Sequence, residues 1–230
     1  MILGSMPGEK RTHWYSDWGK KWRASETTYH SAPWVEALRP FQVLTVPGLD
    51  GSNPEHWQSR WEEELPRRGI LCARVEQNNW CAPNYVHWAQ ALEHAVLNSH
   101  YPVLLAAHSL GAILSVRWSA ANPRIARHIA GALLVAPADT ERHEGEDKAR
   151  VTEFTPLPRS QLPFPAIVAA SGNDPWLSTE RGRMLAQDWG ATFVPTGQKG
   201  HMGNAARLGR WSAGLILLGQ LAERCQWPRK

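Results

Sequence analysis

The sequence predicts an α/β fold, in which a six-stranded, mostly parallel sheet is covered by helices on both faces. Two observations favour it. From Phe41 onward, short continuous apolar runs alternate with helix-compatible runs, and strands that are apolar throughout are typical of a parallel sheet buried on both sides. The length of 230 residues, 43% of them hydrophobic, also suits one domain with one core.

The predicted strands are bounded by residues that favour turns. The first strand ends at Pro47-Gly48, and the helix after the third strand ends at Asn122-Pro123. The helix after the first strand has Asn53 as its cap and Pro54 at its first position. The predicted strands cover residues 42–46, 70–75, 103–107, 132–136, 166–170 and 191–194, and the predicted helices cover residues 54–67, about 84–98, 109–121 and about 205–222.

Apolar spacing assigns an inward face to two of these helices. Residues three or four apart in a helix lie on one side, and both helices carry large apolar residues at that spacing. The inward residues predicted for the second helix are Val86, Ala89, Leu92 and Val96, and those for the last helix are Leu208, Trp211, Leu215 and Leu218.

The first 38 residues differ from the rest, so the sequence predicts an N-terminal extension over 1–38 and one domain over 39–230. The extension is basic and rich in tryptophan, with Trp14, Trp18 and Trp22 recurring every four residues. One interpretation is a short helix packed on the domain. The other is a basic amphipathic helix that binds a membrane surface or a protein partner.

Composition excludes several classes of protein. No apolar run approaches the roughly 20 residues of a membrane span, and the apolar start is too short for an export signal. The net charge of +4 is spread out, so we expect no nucleic-acid partner. Cys72, Cys81 and Cys225 show neither disulfide nor zinc spacing. We therefore expect a cytoplasmic protein without metal or cofactor.

The segment Ala107-His108-Ser109-Leu110-Gly111 is the most informative part of the chain. It joins the third predicted strand to a predicted helix and places small residues two positions on either side of a serine. This pattern is typical of a nucleophile elbow, whose sharp turn lifts the serine hydroxyl above the sheet. Alternatively, Ser109 caps the helix, since serine is favoured there.

A serine nucleophile needs a base, and the base needs an orienting carboxylate. In elbow enzymes the chain order is serine, acid, histidine. Asp174 follows the fifth predicted strand and His201 follows the sixth, so all three residues fall at the carboxyl ends of strands, where parallel sheets form their sites. We predict Ser109 as nucleophile, His201 as base and Asp174 as orienting acid.

The developing oxyanion needs two backbone donors. We predict the amide of Leu110, at the start of the elbow helix, and the amide of Leu49, in the glycine-rich turn after the first strand, with Asp50 as the second choice for that turn.

Other residues compete for these roles. Asp139, after the fourth strand, is the alternative acid. Ser52, His56, His108 and Lys199 have ordinary explanations in capping, packing or solvation. Most of the 13 tryptophans are expected to pack the core, while some line a pocket. Residues 138–165 either shape the pocket rim or form a solvated connection, with a short helix over 144–151.

These residues together resemble the YdeN-like serine hydrolases, the family of retinoblastoma-binding protein nine, over roughly residues 41–222. The more specific parts are the histidine–tryptophan helix after the first turn and the Asn-Asp-Pro acid loop. The resemblance rests on Val46-Pro47-Gly48, Pro54-Glu55-His56-Trp57-Gln58-Ser59-Arg60-Trp61, Ala107-His108-Ser109-Leu110-Gly111, Val135-Ala136-Pro137, Asn173-Asp174-Pro175 and Gly200-His201.

The resemblance implies a compact, three-layer α/β-hydrolase fold without a large lid domain. It implies the triad Ser109, Asp174 and His201, favours Asp174 over Asp139, and suggests carboxylesterase-like activity on small acyl esters. Ala107 stands where the general elbow pattern has glycine. Gly203 stands where the family commonly has asparagine, with Asn204 one position later.

Two alternatives to an esterase stay open at this stage. A scaffold of this kind can serve as an interaction protein with little or no catalysis, because fold does not fix activity. The same triad can also serve an amidase, a thioesterase or an acyltransferase.

Overall fold

The computed structural model describes residues 32–225, and within this range it confirms the predicted α/β fold. One six-stranded sheet has the order β2-β1-β3-β4-β5-β6, and all neighbouring strands run parallel. The strands are β1 Gln42–Val46, β2 Leu71–Arg74, β3 Val103–His108, β4 Ile129–Val135, β5 Ala166–Ala170 and β6 Thr192–Pro195.

Helices cover both faces of the sheet. The helices α3, α4 and α6 pack on one face around Leu105 and Leu134. The helices α1, α2 and α7 lie on the other face, where Trp57 and Trp61 contact Trp211. The helices are α1 Pro33–Leu38, α2 Trp57–Arg67, α3 Tyr85–Leu97, α4 Leu110–Ala121, α5 Lys148–Val151, α6 Thr179–Asp188 and α7 Ser212–Arg224.

Two predicted helices begin later than the sequence pattern indicated. Helix α2 begins at Trp57, because His56 is its N-cap and the His56 side chain accepts the Gln58 amide. Helix α7 begins at Ser212, because Trp211 has a positive φ of 38° that interrupts the helix. The predicted start of that helix instead forms a short 3₁₀ helix at Asn204–Ala206.

The structure also differs from the predicted helix faces and helix count. Val86, predicted to point inward, is 57% exposed, and Trp88 fills the core instead at 0% exposure. Helix α6 was not predicted, although Ser178 caps it by accepting the Arg181 amide. The many charged residues of α6 make its apolar periodicity weak in the sequence.

The connection between β4 and β5, residues 136–165, is the long irregular segment of the described domain. It contains α5 and a 3₁₀ helix at Thr152–Phe154, so the short helix predicted over 144–151 is shorter than expected. Val151 and Phe154 are fully buried and anchor the segment to the core. Within residues 32–225, no insertion reaches the size of a lid domain.

Helix α1 packs against α7, and Gly219 allows this close approach. A Cβ at Gly219 would lie 2.5 Å from the Cβ of Trp34. Residues 1–31, which include the predicted tryptophan helix, lie outside the described residues, so their role stays a prediction. In the part of the chain that the structure describes, no helix has the length and apolar character needed to cross a membrane.

Candidate active site

The turn between β3 and α4 brings Ser109 to the carboxyl edge of the sheet. Ser109 has φ 54° and ψ −123°, a conformation that non-glycine residues rarely adopt and that persists only where the surroundings hold it. Two glycines provide the space. A Cβ at Gly48 would lie 2.7 Å from the Ser109 Cβ, and one at Gly111 would lie 2.2 Å from the Val46 carbonyl oxygen.

The structure brings the three predicted catalytic side chains together. His201 Nε2 lies 2.7 Å from Ser109 Oγ, and His201 Nδ1 lies 2.8 Å from Asp174 Oδ1. A carboxylate can only accept hydrogen bonds, so the proton of the neutral imidazole is on Nδ1. Nε2 is then free to accept the Ser109 hydroxyl proton, which is the arrangement that a serine nucleophile needs.

The loop after β5 buries and orients the acid. The Asp174 side chain is 0% exposed, whereas that of His201 is 21% exposed. Asp174 Oδ1 also accepts the Trp176 amide at 2.9 Å. The Trp176 ring lies 5.7 Å from the His201 ring on one side and 3.6 Å from the His143 ring, nearly parallel, on the other. Trp176 therefore forms a wall behind the imidazole.

Hydrogen bonds to its backbone fix the histidine loop. His108 Nε2 donates to the His201 carbonyl at 2.9 Å, and Trp57 Nε1 donates to the Met202 carbonyl at 3.1 Å. The Asn173 side chain accepts the Gly200 amide at 2.7 Å, which connects the acid loop to the histidine loop. We call the contacts of His108 and Trp57, whose side chains are buried, the buried bracket.

Two buried histidines lie at the bracket, His108 as one of its donors and His56 packed against His108. Burial above all, with the neighbouring His56 and His201, holds the pKa of His108 well below its usual value. Burial, followed by the charges of Arg74 and His201, lowers the pKa of His56 to about 3. The His56 and His108 rings contact each other edge to face at 4.9 Å. The lowered pKa values favour uncharged rings for both residues beside the His201 imidazole at neutral pH.

The turn with Leu49 approaches the elbow closely, since a Cβ at Gly48 would lie 3.0 Å from the Leu110 amide nitrogen. Leu110 is the first residue of α4, where helix amides lack an intrahelical acceptor. In the turn after β1, the Asp50 amide donates to the Trp80 carbonyl at 3.0 Å, while the Leu49 amide has no acceptor among residues 32–225. Of the two amides predicted for this turn, only that of Leu49 is therefore available to a ligand.

The competing acid, Asp139, has a different partner. It is 3% exposed and forms an ion pair with Arg181, whose Nε lies 2.9 Å from Asp139 Oδ2. A buried guanidinium neutralises this carboxylate, and Arg181 also pairs with Glu141. No contact joins Asp139 to His201.

The other competing residues have structural roles. Ser52 Oγ bonds the Gln58 side chain rather than the backbone, and His56 caps α2. Lys199 is exposed. Asn204, one position after the asparagine expected in the family, accepts the Asn53 amide at 3.2 Å and lies outside the triad contacts. The donor Trp57 and the acceptor Asn173 were not predicted as site residues, although both lie in the motifs that carry the family resemblance.

A cavity of about 530 Å³ adjoins the acid loop. Its walls come from the segment after β4 and from the loop after β5, so these two segments shape the surface beside the triad. Its lining includes Arg142, His143, Asp174, Trp176 and Arg181.

Comparisons with known proteins show a family and a fold for this chain. The model of the serine hydrolase family matches residues 43–220. A YdeN-like hydrolase from Pectobacterium atrosepticum is 32% identical, with a TM-score of 0.72, over 85% of this chain and 98% of that one. The ydeN gene product from B. subtilis is 20% identical, with a TM-score of 0.60, over 80% and 99%.

A further neighbour shares the fold alone. Est1E from Butyrivibrio proteoclasticus is 12% identical, with a TM-score of 0.60, over 82% of this chain and 90% of that one. The comparison with curated proteins found no match. The family match spans more than half of the chain, and the first structural relative exceeds 30% identity over nearly its whole length. The chain therefore belongs to the YdeN-like serine hydrolase family.

Proposed function

We propose that the protein hydrolyses small carboxyl esters through an acyl-enzyme intermediate. In this proposal Ser109 is the nucleophile, His201 is the general base and acid, and Asp174 orients the imidazole. The amides of Leu49 and Leu110 bind the oxyanion. The hydrogen-bond chain from Ser109 Oγ through His201 to Asp174, with distances of 2.7 and 2.8 Å, carries the proposal.

In the acylation half-reaction, Ser109 Oγ attacks the ester carbonyl carbon while His201 Nε2 takes the hydroxyl proton. The carbonyl oxygen becomes an oxyanion that accepts the two backbone amides, which is where such sites gain most of their rate. The buried Asp174 carboxylate stabilises the imidazolium without taking its proton. Collapse of the intermediate breaks the bond to the alkoxy oxygen, which leaves as the alcohol with the proton from His201.

Deacylation repeats these steps with water. His201 takes a proton from the water as its oxygen attacks the acyl carbon, and a second oxyanion forms at the same two amides. The bond to Ser109 Oγ then breaks, the serine regains its proton from His201, and the carboxylic acid leaves. The elbow geometry supports this order, because the turn places Ser109 Oγ at the sheet edge where both loops can reach it.

Labelling with a fluorophosphonate probe tests the proposal. The probe reacts only with an activated serine, so we expect it to modify the wild-type protein at Ser109 and to fail on Ser109→Ala. Ser52→Ala is the matched control, since Ser52 also lies near a glycine turn but bonds Gln58, and it should label like the wild type. Equal labelling of Ser109→Ala would contradict the proposal.

Paired substrates then separate the ester from its alternatives. An ester, a thioester and an anilide of the same acyl group should show turnover in favour of the ester. Preference for the thioester or the anilide would instead indicate a thioesterase or an amidase. Labelling without turnover on any of them, together with a binding partner captured through residues 1–38, would instead favour an interaction protein.

A further inference from the structure

Arg150, on the short helix α5, joins three loops at the carboxyl edge of the sheet. Its guanidinium forms an ion pair with Asp50 in the turn after β1. The Nε and Nη2 atoms also donate to the Cys81 carbonyl in the loop after β2, at 2.9 and 2.7 Å. Asp147, one turn earlier on the same segment, accepts from Nη1 at 2.5 Å.

The contact with Asp50 bears directly on the predicted oxyanion side. Asp50 follows Leu49 and has φ 61°, a left-handed conformation that aspartate tolerates but does not prefer. Its amide is already held by the Trp80 carbonyl, and the Gly51 amide closes the turn onto the Gly48 carbonyl. With the Asp50 side chain also held, the peptide between Gly48 and Asp50 has little freedom to rotate.

We propose that Arg150 is a positioning residue that holds the Leu49 amide toward Ser109 by clasping Asp50, a role that rests on the proposed function. We call the contacts of Arg150 with Asp50, Asp147 and the Cys81 carbonyl the polar clasp. The segment after β4, which sequence left as either a pocket rim or a solvated connection, thereby takes part in the reaction without touching substrate.

The exposure of these side chains distinguishes a role in positioning the Leu49 amide from a role in the stability of the fold. The side chains of Arg150 and Asp50 are 32% and 54% exposed, and ion pairs at such positions contribute little to the free energy of unfolding. An oxyanion donor, in contrast, must lie within about 2.7–3.1 Å of the developing charge. Loosening the turn should therefore lower the rate far more than the stability.

Arg150→Met removes the guanidinium and keeps the aliphatic stem. Asp50→Asn removes the other charge at a position where asparagine tolerates a positive φ. Arg60→Met is the matched control, because Arg60 is 33% exposed and its Nη2 lies 2.6 Å from Glu55 Oε2, an ion pair at the start of α2 that does not include Asp50. We expect the melting temperature of all three variants to stay within about 4 °C of wild type.

The catalytic readouts are kcat for an ester and the affinity of a trifluoromethyl ketone inhibitor. The adduct of this inhibitor with Ser109 carries an oxyanion. In Arg150→Met we expect kcat and inhibitor affinity each to fall about tenfold, since losing a donor outright costs about 10²–10³, with KM changing less than twofold. Asp50→Asn should lower kcat and inhibitor affinity by a similar factor. The double variant should lose no more of either than the single variants do, because both substitutions act through one contact. Arg60→Met should match wild type.

Salt gives an independent sign of the clasp. At about 1 M salt the Debye length falls to about 3 Å, so wild-type turnover should decline toward that of Arg150→Met, while the variant itself changes little. A merely structural role for Arg150 would not produce this difference.

Hydrogen exchange at the amides of residues 48–52 tests the clasp without relying on catalysis. Faster exchange in Arg150→Met supports it, and unchanged exchange overturns it. Faster exchange with unchanged kcat and inhibitor affinity overturns the role in positioning Leu49. If the wild type does not label with fluorophosphonate, the proposed function fails, and the exchange result still decides whether Arg150 holds the turn.

Discussion

The two sides of the candidate active site are held in place by different kinds of contact. On the side of the base, His201 depends on the buried bracket, in which side chains from α2 and β3 hydrogen-bond to the His201 and Met202 carbonyls. On the side of the oxyanion, the turn with Leu49 depends on the polar clasp, whose ion pair is 32% and 54% exposed. One side is fixed by the core and the other by the surface.

This contrast follows from what each side has to do. The imidazole must keep one tautomer and one orientation through two proton transfers, and buried hydrogen bonds in a low-dielectric setting are strong and resist exchange with water. The oxyanion turn has to admit a substrate carbonyl between Leu49 and Leu110. Contacts at the surface can hold such a turn while leaving its inner face open.

The largest expected effect is on the base side, from Asp174→Asn. Asp174 Oδ1 accepts both the His201 Nδ1 proton and the Trp176 amide. If the asparagine oxygen keeps the Trp176 amide, its NH₂ group replaces Oδ2, which lies 3.0 Å from Nδ1. By donating to Nδ1, that group favours the imidazole tautomer with the proton on Nε2. His201 can then no longer accept from Ser109, so kcat for an ester should fall about 10⁴-fold.

Asp139→Asn is the control for this change. It alters the other acid that sequence allowed, but that carboxylate pairs with Arg181 and not with the imidazole. Turnover per active site, titrated with fluorophosphonate, should stay close to wild type even where the variant unfolds more easily. A loss as large as that of Asp174→Asn would reverse the assignment of the acid.

Trp57→Phe tests the buried bracket with a smaller expected effect. The change leaves the Met202 carbonyl without the Trp57 Nε1 donor, 3.1 Å away, and an unpaired buried carbonyl costs about 1–3 kcal/mol. Because Met202 directly follows His201, the proposed base, we expect kcat to fall about tenfold with KM unchanged.

Trp61→Phe is matched to it within the same aromatic cluster. Trp61 Nε1 donates to the Arg210 carbonyl at 2.7 Å, nine positions beyond His201. Urea unfolding should show comparable losses in the free energy of unfolding for both variants, while only Trp57→Phe slows the ester reaction. Equal losses of kcat would mean that the cluster acts through stability alone.

The fold was predictable because its strands carry a strong and redundant signal. Apolar runs such as Val103–Ala107 and Ala166–Ala170 allow little besides a buried parallel strand, and glycine or proline marks their ends. Helix α6 was missed because its exposed face carries Glu180, Arg183 and Asp188. Val86 was assigned to the core because spacing alone does not reveal that Trp88 fills the same space.

The positions of the candidate site residues could also be predicted from the sequence, because the carboxyl ends of parallel strands lie at one edge of the sheet. Chain order and strand ends predicted that Ser109, Asp174 and His201 lie together, and the structure brings them into hydrogen-bond contact. The contacts that hold them were not accessible. Trp57 and Met202 are 145 positions apart and Arg150 and Asp50 are 100 apart, and no local pattern encodes pairs at such distances.

The smallest expected effect on turnover comes from His56, which packs against His108 of the bracket and whose titration changes stability. His56 has a pKa of about 3 in the folded protein, because burial and the charges of Arg74 and His201 disfavour its protonated form, whereas the unfolded chain has the ordinary value of about 6.5. The unfolded state then binds the extra proton. The contribution to stability is complete above about pH 6.5 and is lost as the pH falls, by about 1.4 kcal/mol per pH unit.

His56→Asn separates this titration from the capping role, because asparagine also accepts amide hydrogen bonds at an N-cap. Urea unfolding at steps between pH 7 and pH 4 should show a shallower decline in the free energy of unfolding for the variant. A decline remains, because the buried His108 also has a lowered pKa. Equal slopes would mean that His56 takes up a proton in the folded state, and a charge would then lie against the buried bracket. That outcome would weaken the contrast with the polar clasp, since both sides would then hold a charge.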